Sequence, residues 1–253
     1  MPPHLNLRFL LLIAVTGLAA CSHLGQAAPP LSIADSPWAA SSAAPAGALP
    51  AQWAHQTFPG KRATSFQYVR LDGRDAIAVQ AQSSASMLRQ PLRLEPAQLG
   101  QVHFSWKVPA LMEEADLMLR SKADAVVRVV LVFEGDRSRF SAADASLSEL
   151  SRAVMGEDLP YATLMYVWSS QRPAGTVIPS TRTSRVRKLV VESGPDRLGR
   201  WTDYQRDVRT DYLHAFGESP GALVGVGIMT DSDNTKSHAR AWYGPLRLVP
   251  PQP

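Results

Sequence analysis

Asp231-Ser232-Asp233-Asn234-Thr235 gathers two carboxylates, an amide and two hydroxyls into five consecutive residues, directly after an apolar run ending at Met229-Thr230. Hard oxygen donors at that density suit calcium, so Asp231, Asp233 and Asn234 form a candidate metal site with calcium as its candidate cofactor. The spacing is not that of an EF-hand loop, because Lys236 stands where a glycine is required and Trp242 where the terminal glutamate belongs. The same residues also suit an Asx-type turn whose side chains cap backbone amides. Arg128 is a second anomaly, a guanidinium inside the apolar run Val126 to Phe133. Burying it alone is costly, so it needs either a carboxylate (Asp124, Glu192, Asp207 and Asp231 are on hand) or a polar ligand. Aromatic residues give a third hint. Tyr166 and Trp168 share one strand face, while Trp201, Tyr204, Trp242 and Tyr243 fall near strand ends or loops. Such rings either pack into a core or stack against sugar rings whose hydroxyls are read by Asp, Asn and Arg.

The strong catalytic signatures are missing from the chain. It has no Gly-x-Ser-x-Gly, His-Glu-x-x-His, Gly-x-x-x-x-Gly-Lys or Cys-x-x-Cys. Gly225-Val226-Gly227 lacks the third glycine of a dinucleotide loop and reads as close packing within a strand. Among the histidines, His23, His55, His103, His214 and His238 stand at no metal-ligand spacing from one another.

The lone cysteine, Cys21, closes the run Leu18-Ala19-Ala20-Cys21 after a positive Arg8 and an apolar stretch from Phe9 to Val15. That stretch is too short to cross a hydrocarbon core of roughly 30 Å, so it reads as a removable signal over residues 1–20. The four residues resemble a lipoprotein processing site, which makes Cys21 the expected lipidation residue and a lipid membrane the expected partner. Stable anchoring takes two or more acyl chains at roughly 0.8 kcal/mol per buried methylene. Ser22 follows the cysteine, and its resemblance to the sorting pattern of Gram-negative lipoproteins points to the outer membrane, facing the periplasm.

These residues must be positioned by a single domain. Residues 21–51 are rich in Ala, Pro and Ser, too poor in apolar surface to offset chain entropy, and are expected to form a disordered linker. Trp38, its large apolar residue, would rest on the membrane or dock on the domain. Residues 52–249 show period-two alternation, clearest in Val102-His103-Phe104-Ser105-Trp106-Lys107-Val108. Further strands are expected at 66–71, 76–82, 87–94, 126–133, 163–169, 187–192, 201–208, 223–230 and 239–248. Two helices interrupt them. One is capped by Ser141, with Asp144 in its first turn, Leu147, Leu150 and Val154 on one face and Gly156 at its exit. The other is capped by Asp207 or Thr210 and ended by Gly217. Many strands without βαβ alternation imply a mainly all-β fold, an antiparallel two-sheet jelly-roll-like β-sandwich with one or two short embedded helices. The formal charge of +4, or +3 without Arg8, is too scattered to imply nucleic acid. The densest basic stretch, Arg182, Arg185, Arg187 and Lys188, suits lipid phosphates, anionic glycans or a solvated sheet edge.

Several segments together resemble the bacterial domain-of-unknown-function family 3047: Phe104 to Val108, Arg128 to Phe133, Tyr166-Val167-Trp168, Glu192-Ser193-Gly194 with Leu198 to Trp201, Arg206-Asp207-Val208 with Asp211-Tyr212 and Phe216-Gly217, and Met229 to Thr235. The resemblance spans about Trp53 to Leu248 and implies a β-rich secreted domain without an assigned activity. The chain departs from the family pattern at Asp207, where Asn is usual, and at Pro245, where an aspartate is usual. With the residues above, it makes Arg128, Trp168, Arg206, Asp207 and Tyr243 the candidate ligand-binding set, and no residue takes a catalytic role. Three functions compete. The first is a noncatalytic envelope lipoprotein that binds a glycan or small polar ligand, the second a carbohydrate-active hydrolase or lyase using paired carboxylates, the third an envelope scaffold. An aromatic platform beside polar groups would favour the binder, facing carboxylates in a cleft the enzyme, and a flat apolar patch the scaffold.

Overall fold

Alternating burial turns the apolar phase of each strand into one wall of a shared core. In β5 (Gln101–Lys107), Val102, Phe104 and Trp106 are buried while Gln101, His103 and Lys107 reach toward solvent. The computed structural model describes residues 31–42 and 52–251. These hold thirteen strands in two sheets. The seven-stranded sheet has the order β1 (Ala54–Thr57), β4 (Ala85–Leu94), β11 (Leu223–Asp231), β6 (Arg128–Phe133), β7 (Ala162–Ser169), β9 (Val186–Ser193), β8 (Val177–Pro179). The six-stranded sheet has the order β10 (Trp201–Asp207), β5, β12 (His238–Tyr243), β3 (Arg74–Gln82), β2 (Ser65–Leu71), with β13 (Arg247–Val249) also paired to β5. The fold is a β-sandwich, as expected. Pairing among the described residues is antiparallel except between β7 and β9. After β7 the chain first lays down edge strand β8 and then turns back, so β9 enters between them running with β7.

The inner faces meet in an aromatic centre. Phe104 stacks on Tyr166 at 5.5 Å and on Tyr204 at 5.1 Å, with Trp106 tilted against both Phe104 and Tyr204. The strand expected over 239–248 divides at Gly244 into β12 and β13, both of which pair with β5.

Part of the expected linker is folded. Ser36 caps the short helix α1 (Pro37–Ser41), and Trp38 is fully buried with its ring 4.8 Å from that of Trp53. The Ser42 hydroxyl accepts from Leu246 N and the Ser41 carbonyl from Arg247, which ties the segment to β13. One indole supplied enough burial to order a stretch whose composition otherwise argues for disorder. Cys21, the signal segment and residues 43–51 lie outside the described residues.

The two helices form where their caps place them, α2 (Ala142–Met155) between Ser141 and left-handed Gly156, α3 (Val208–Phe216) between Asp207 and left-handed Gly217. The docking face of α2 differs from expectation. Leu150 and Val154 are each 58% exposed, while Asp144 and Ser148 are buried. Asp144 is turned inward because it accepts from the hydroxyls of Thr183 and Ser184 (both 2.5 Å), from Ser184 N (3.0 Å) and from Ser141 (2.8 Å). Hydrogen bonds to a carboxylate, not apolar contact, hold this helix down. The basic stretch is likewise engaged: Arg185 pairs with Glu218 at 2.6 Å and stacks on Tyr161 at 3.9 Å, and Lys188 is buried.

Candidate functional site

Each sheet has a second face turned away from the core, and the two are built differently. On the seven-stranded sheet that face carries Arg128, Val130 and Val132 of β6, Met87 and Arg89 of β4, Thr163 and Met165 of β7, and Gly225, Gly227, Met229 and Asp231 of β11. One part is roofed by residues 111–125. Arg128 Nε and Nη2 donate to the two Asp231 oxygens at 2.9 Å each, and Nη2 also donates to Ala123 O at 2.6 Å. Asp231 Oδ1 accepts from Ala125 N at 3.0 Å, and Lys188 Nζ donates to Leu117 O at 2.9 Å. The buried charges thus satisfy backbone groups of a loop that would otherwise have no ladder partners. Burial pushes the Asp231 carboxyl up, against the pull of the adjacent Arg128 guanidinium. Burial also brings the Lys188 ammonium down to about 8, with Arg128 adding to the effect.

The predicted metal residues join this node. One oxygen each of Asp124, Asp231 and Asp233 lie within 4.8 Å of one another, and all three residues are buried. Their oxygens are also engaged by protein partners. Asp124 accepts from the backbone and side chains of both Asn234 and Thr235, at 2.6–3.2 Å. Asp231 is held by Arg128, and Asp233 by Lys61. Asn234 spends its amide nitrogen on Asp124. A cation here would have to displace two protein cations, which already relieve the repulsion among the carboxylates. In the structure the loop is a turn whose carboxylates pair with Arg128 and Lys61.

The other predicted ligand residues are also engaged within the protein. Tyr243, buried on the inner face, accepts from Arg128 N at 3.1 Å and donates to Met229 O at 2.6 Å, stitching one sheet to the other. Trp168 is buried and donates to Gly194 O at 2.9 Å. Arg206 donates to both oxygens of Asp211, which also accepts from Tyr166, and Asp207 caps α3 by accepting from Thr210 N. Arg128, Asp231, Asp233, Asn234 and Tyr243 come together, whereas Arg206 and Asp207 sit apart at the junction of β10 and α3.

Where the roof stops, the same face opens into a groove of about 780 Å³. Its floor holds Met87, Met165 and Met229 with Val130, Val132 and Val224. The glycine pair is closely packed, as its sequence implied: a Cβ on Gly227 would meet the Met87 sulfur at 2.8 Å, and one on Gly225 would touch Val132 and the Gln90 carbonyl at 3.7 Å. The carboxylates at its margin are all ion-paired: Glu157 with Arg89 (3.2 Å), Glu134 and Glu95 with Arg93 (2.9 and 2.7 Å), and Asp158 with Arg152 and Arg137 (2.5 and 3.3 Å). A glycosidase acid must be held neutral by a raised pKa. Here Arg152 and Arg137 hold the Asp158 carboxyl below its usual range despite partial desolvation.

The outer face of the six-stranded sheet carries aromatic residues. Trp201 of β10 and Trp242 of β12 are both in register with Lys107 of β5, one on each side, and both are half-buried. Asp72-Gly73 joins β2 to β3 in a two-residue turn with positive φ at both positions (52° and 76°), the geometry that matches strand twist. It aims Asp72 at the platform. Asp72 Oδ2 accepts from Lys107 Nζ at 2.7 Å and from Trp201 Nε1 at 3.1 Å, and Lys107 chiefly lowers its pKa. Arg74 grips Asp203 with two bonds (2.6 and 3.2 Å) and lies 5.3 Å from the Trp201 ring, while Arg240 sits 4.5 Å over Trp242. Along β12 from Trp242, a trough of about 450 Å³ is lined by the polar Arg62, Gln80, Gln82, His238 and Arg240 and by the apolar Pro109, Ala110 and Leu111.

Lys107, Asp72, Arg74, Gln80 and Arg240 were not singled out from sequence, although a signal existed. Trp242 shares its strand phase with His238 and Arg240, and Trp201 shares its phase with Asp203 and Gln205. A tryptophan in the polar phase of a strand faces out. Tyr166 and Trp168, in an apolar phase, face in.

Comparison with known proteins places the chain. Its residues 51–247 match the family described as protein of unknown function (DUF3047), and the chain belongs to that family. No curated protein matches it. Among solved structures, it is similar to the xyloglucanase domain of NopAA, a type three effector from Sinorhizobium fredii, in complex with cellobiose. The identity is 8% and the TM-score 0.38, over 81% of this chain and 97% of that one. It is also similar to the endo-1,4-beta-glucanase CelB2, at 9% identity and TM-score 0.34, over 79% of this chain and 97% of that one. Similarity at this level carries no argument about activity or ligand.

Proposed function

We propose that this member of the DUF3047 family is a noncatalytic glycan-binding module held at the cell envelope by an acylated Cys21. The observation that carries the reading is the pair of tryptophans flanking Lys107, bordered by the trough. A sugar ring has a C–H face and a hydroxyl edge. Half-buried indoles cover the first, and guanidinium, amide, carboxylate and ammonium groups bond the second. The platform is organised before any ligand arrives, because Asp72 fixes Lys107 and Trp201 and Arg74 fixes Asp203, which reduces the ordering cost of binding.

The hydrolase reading finds less support, since the groove carboxylates are neutralised by arginines. The scaffold reading has the exposed Leu150 and Val154 of α2 to draw on, short of the few hundred Å² of contiguous apolar surface that marks an interface. Ser22 after Cys21 supports the outer membrane as the address, with the domain facing the periplasm. Among the described residues no helix is long and apolar enough to cross a membrane.

The test is affinity electrophoresis of the full-length chain in detergent, through gels containing envelope glycans. Wild type should be retarded, and Trp201→Ala with Trp242→Ala should run free while keeping the wild-type melting temperature within a few degrees. Fatty-acid labelling should mark wild type and not Cys21→Ser. Absence of retardation by every glycan would overturn the binding reading, and equal labelling of both proteins would overturn the anchor.

A further inference from the structure

We infer that the glycan accepted by the outer face of the six-stranded sheet is an extended β-1,4-linked chain lying across the strands. This rests on the glycan reading above and names its ligand class. The register decides it. Trp201 and Trp242 pair with the same residue, Lys107, from opposite sides, so their backbone positions are two strand spacings apart, about 10 Å. In an extended β-1,4-linked chain each ring is turned by about half a turn relative to the last, and alternate rings present the same face at very nearly that repeat. One ring would stack on each indole, displacing the Arg74 guanidinium from Trp201 and the Arg240 guanidinium from Trp242. The ring between them, presenting its other side, would lie over Lys107, where the ammonium donates and the Asp72 carboxylate accepts.

The row continues in the same direction. Trp242 pairs with Ala78 of β3, and Ala78 with Gln67 of β2. Ala78 offers a low step and Gln67 an exposed amide, so the track from β10 to β2 covers four strand spacings, about 20 Å, the length of about four sugar rings. Arg240 and Gln80, opposite each other one rung along, line one flank of that track, and Asp203 with Arg74 line the other. Chains with axial linkages curl, and β-1,3-linked chains wind. Neither presents two coplanar rings at the spacing of the tryptophans.

The experiment is calorimetric titration of the full-length chain with soluble oligosaccharides of equal length: cello- and chito-oligosaccharides, laminari-oligosaccharides and malto-oligosaccharides. At least one β-1,4-linked series should bind about tenfold or more tighter than the β-1,3- and α-1,4-linked ones, and its disaccharide, which spans one indole, should be weaker by a similar factor. Trp201→Ala and Trp242→Ala should each lose about tenfold, and Trp242→Phe should retain most of the affinity, which controls for folding. Equal or tighter binding of the β-1,3- or α-1,4-linked chains through the same tryptophans would overturn the linkage class and leave the glycan reading standing. Failure of every linkage to bind would remove both.

Discussion

The outer faces of the two sheets begin from the same raw material, the solvent phase of alternating strands, and end as opposites. On the seven-stranded sheet, Arg128, Asp231, Asp124, Lys188 and Asp233 are buried, and their bonds go to one another, to Lys61, to Asn234 and Thr235, and to the backbone of residues 111–125. Even at the open groove, each lining carboxylate is matched with an arginine. On the six-stranded sheet the polar groups are mostly exposed, and the large side chains are half-open tryptophans rather than methionines. Charge alone therefore does not mark a site. A charged residue within the valine run holds a loop, whereas the tryptophans in a polar phase stay half-open beside exposed partners. The first face buries its paired charges beneath a loop, and the second keeps its pairs at the surface.

That contrast makes separable demands on stability and binding. The largest effect belongs to the ion network. Asp231→Ala leaves the Arg128 charge buried without its partner and should cost about 3–5 kcal/mol in urea unfolding, with Arg128→Met milder than Arg128→Ala because it fills the vacated space. Near-native stability of Asp231→Ala would break the comparison, since the node would then be as dispensable as a surface pair. An intermediate effect is expected at Asp144. Burial raises its pKa, but the donors from Ser184, Thr183 and Ser141 prevail and hold it at about 2, against an ordinary 3.8. A depressed folded pKa contributes stability above the unfolded value and loses it as pH falls. Asp144→Asn should therefore cost about 2 kcal/mol at neutral pH, the gap closing between about pH 4 and pH 2. Unfolding curves at the two pH extremes check this, and a gap unchanged by acid would show that charge is not what pins α2. The smallest effect is the sharpest. Because Lys61 and Arg128 already neutralise the Asp231 to Thr235 loop, neither calcium nor chelator should move the melting temperature, and Asp233→Asn should leave that lack of response unchanged. A calcium-dependent rise would return the loop to the class of ligand sites.

Much of the fold was legible residue by residue. The strand phases of β2 to β7 and β9 to β11, and the caps Ser141, Gly156, Asp207 and Gly217, are set by neighbours a few residues away. The short edge strands β1 and β8 were not legible, because four and three residues carry too little periodicity, and their pairing with β4 and β9 comes from distant chain. The docking of α2 was misread because apolar spacing was weighed and the reach of the Asp144 carboxylate to Thr183 and Ser184 could not be. Trp38 shows the same limit from the other side. Its segment looks unstructured until Trp53 and β13 are brought to it.

The sequence by itself determined a two-sheet sandwich, its family and the two helices, since these follow from periods, caps and motifs spanning a few residues. Only the tertiary structure decided that Arg128 takes Asp231 rather than the other carboxylates, that the Asp231 to Thr235 loop closes on Asp124, and that Trp201 and Trp242 flank Lys107. Each of those facts is a register between strands or loops far apart in sequence. No local pattern encodes such a register, because it is fixed by the simultaneous packing of two whole sheets.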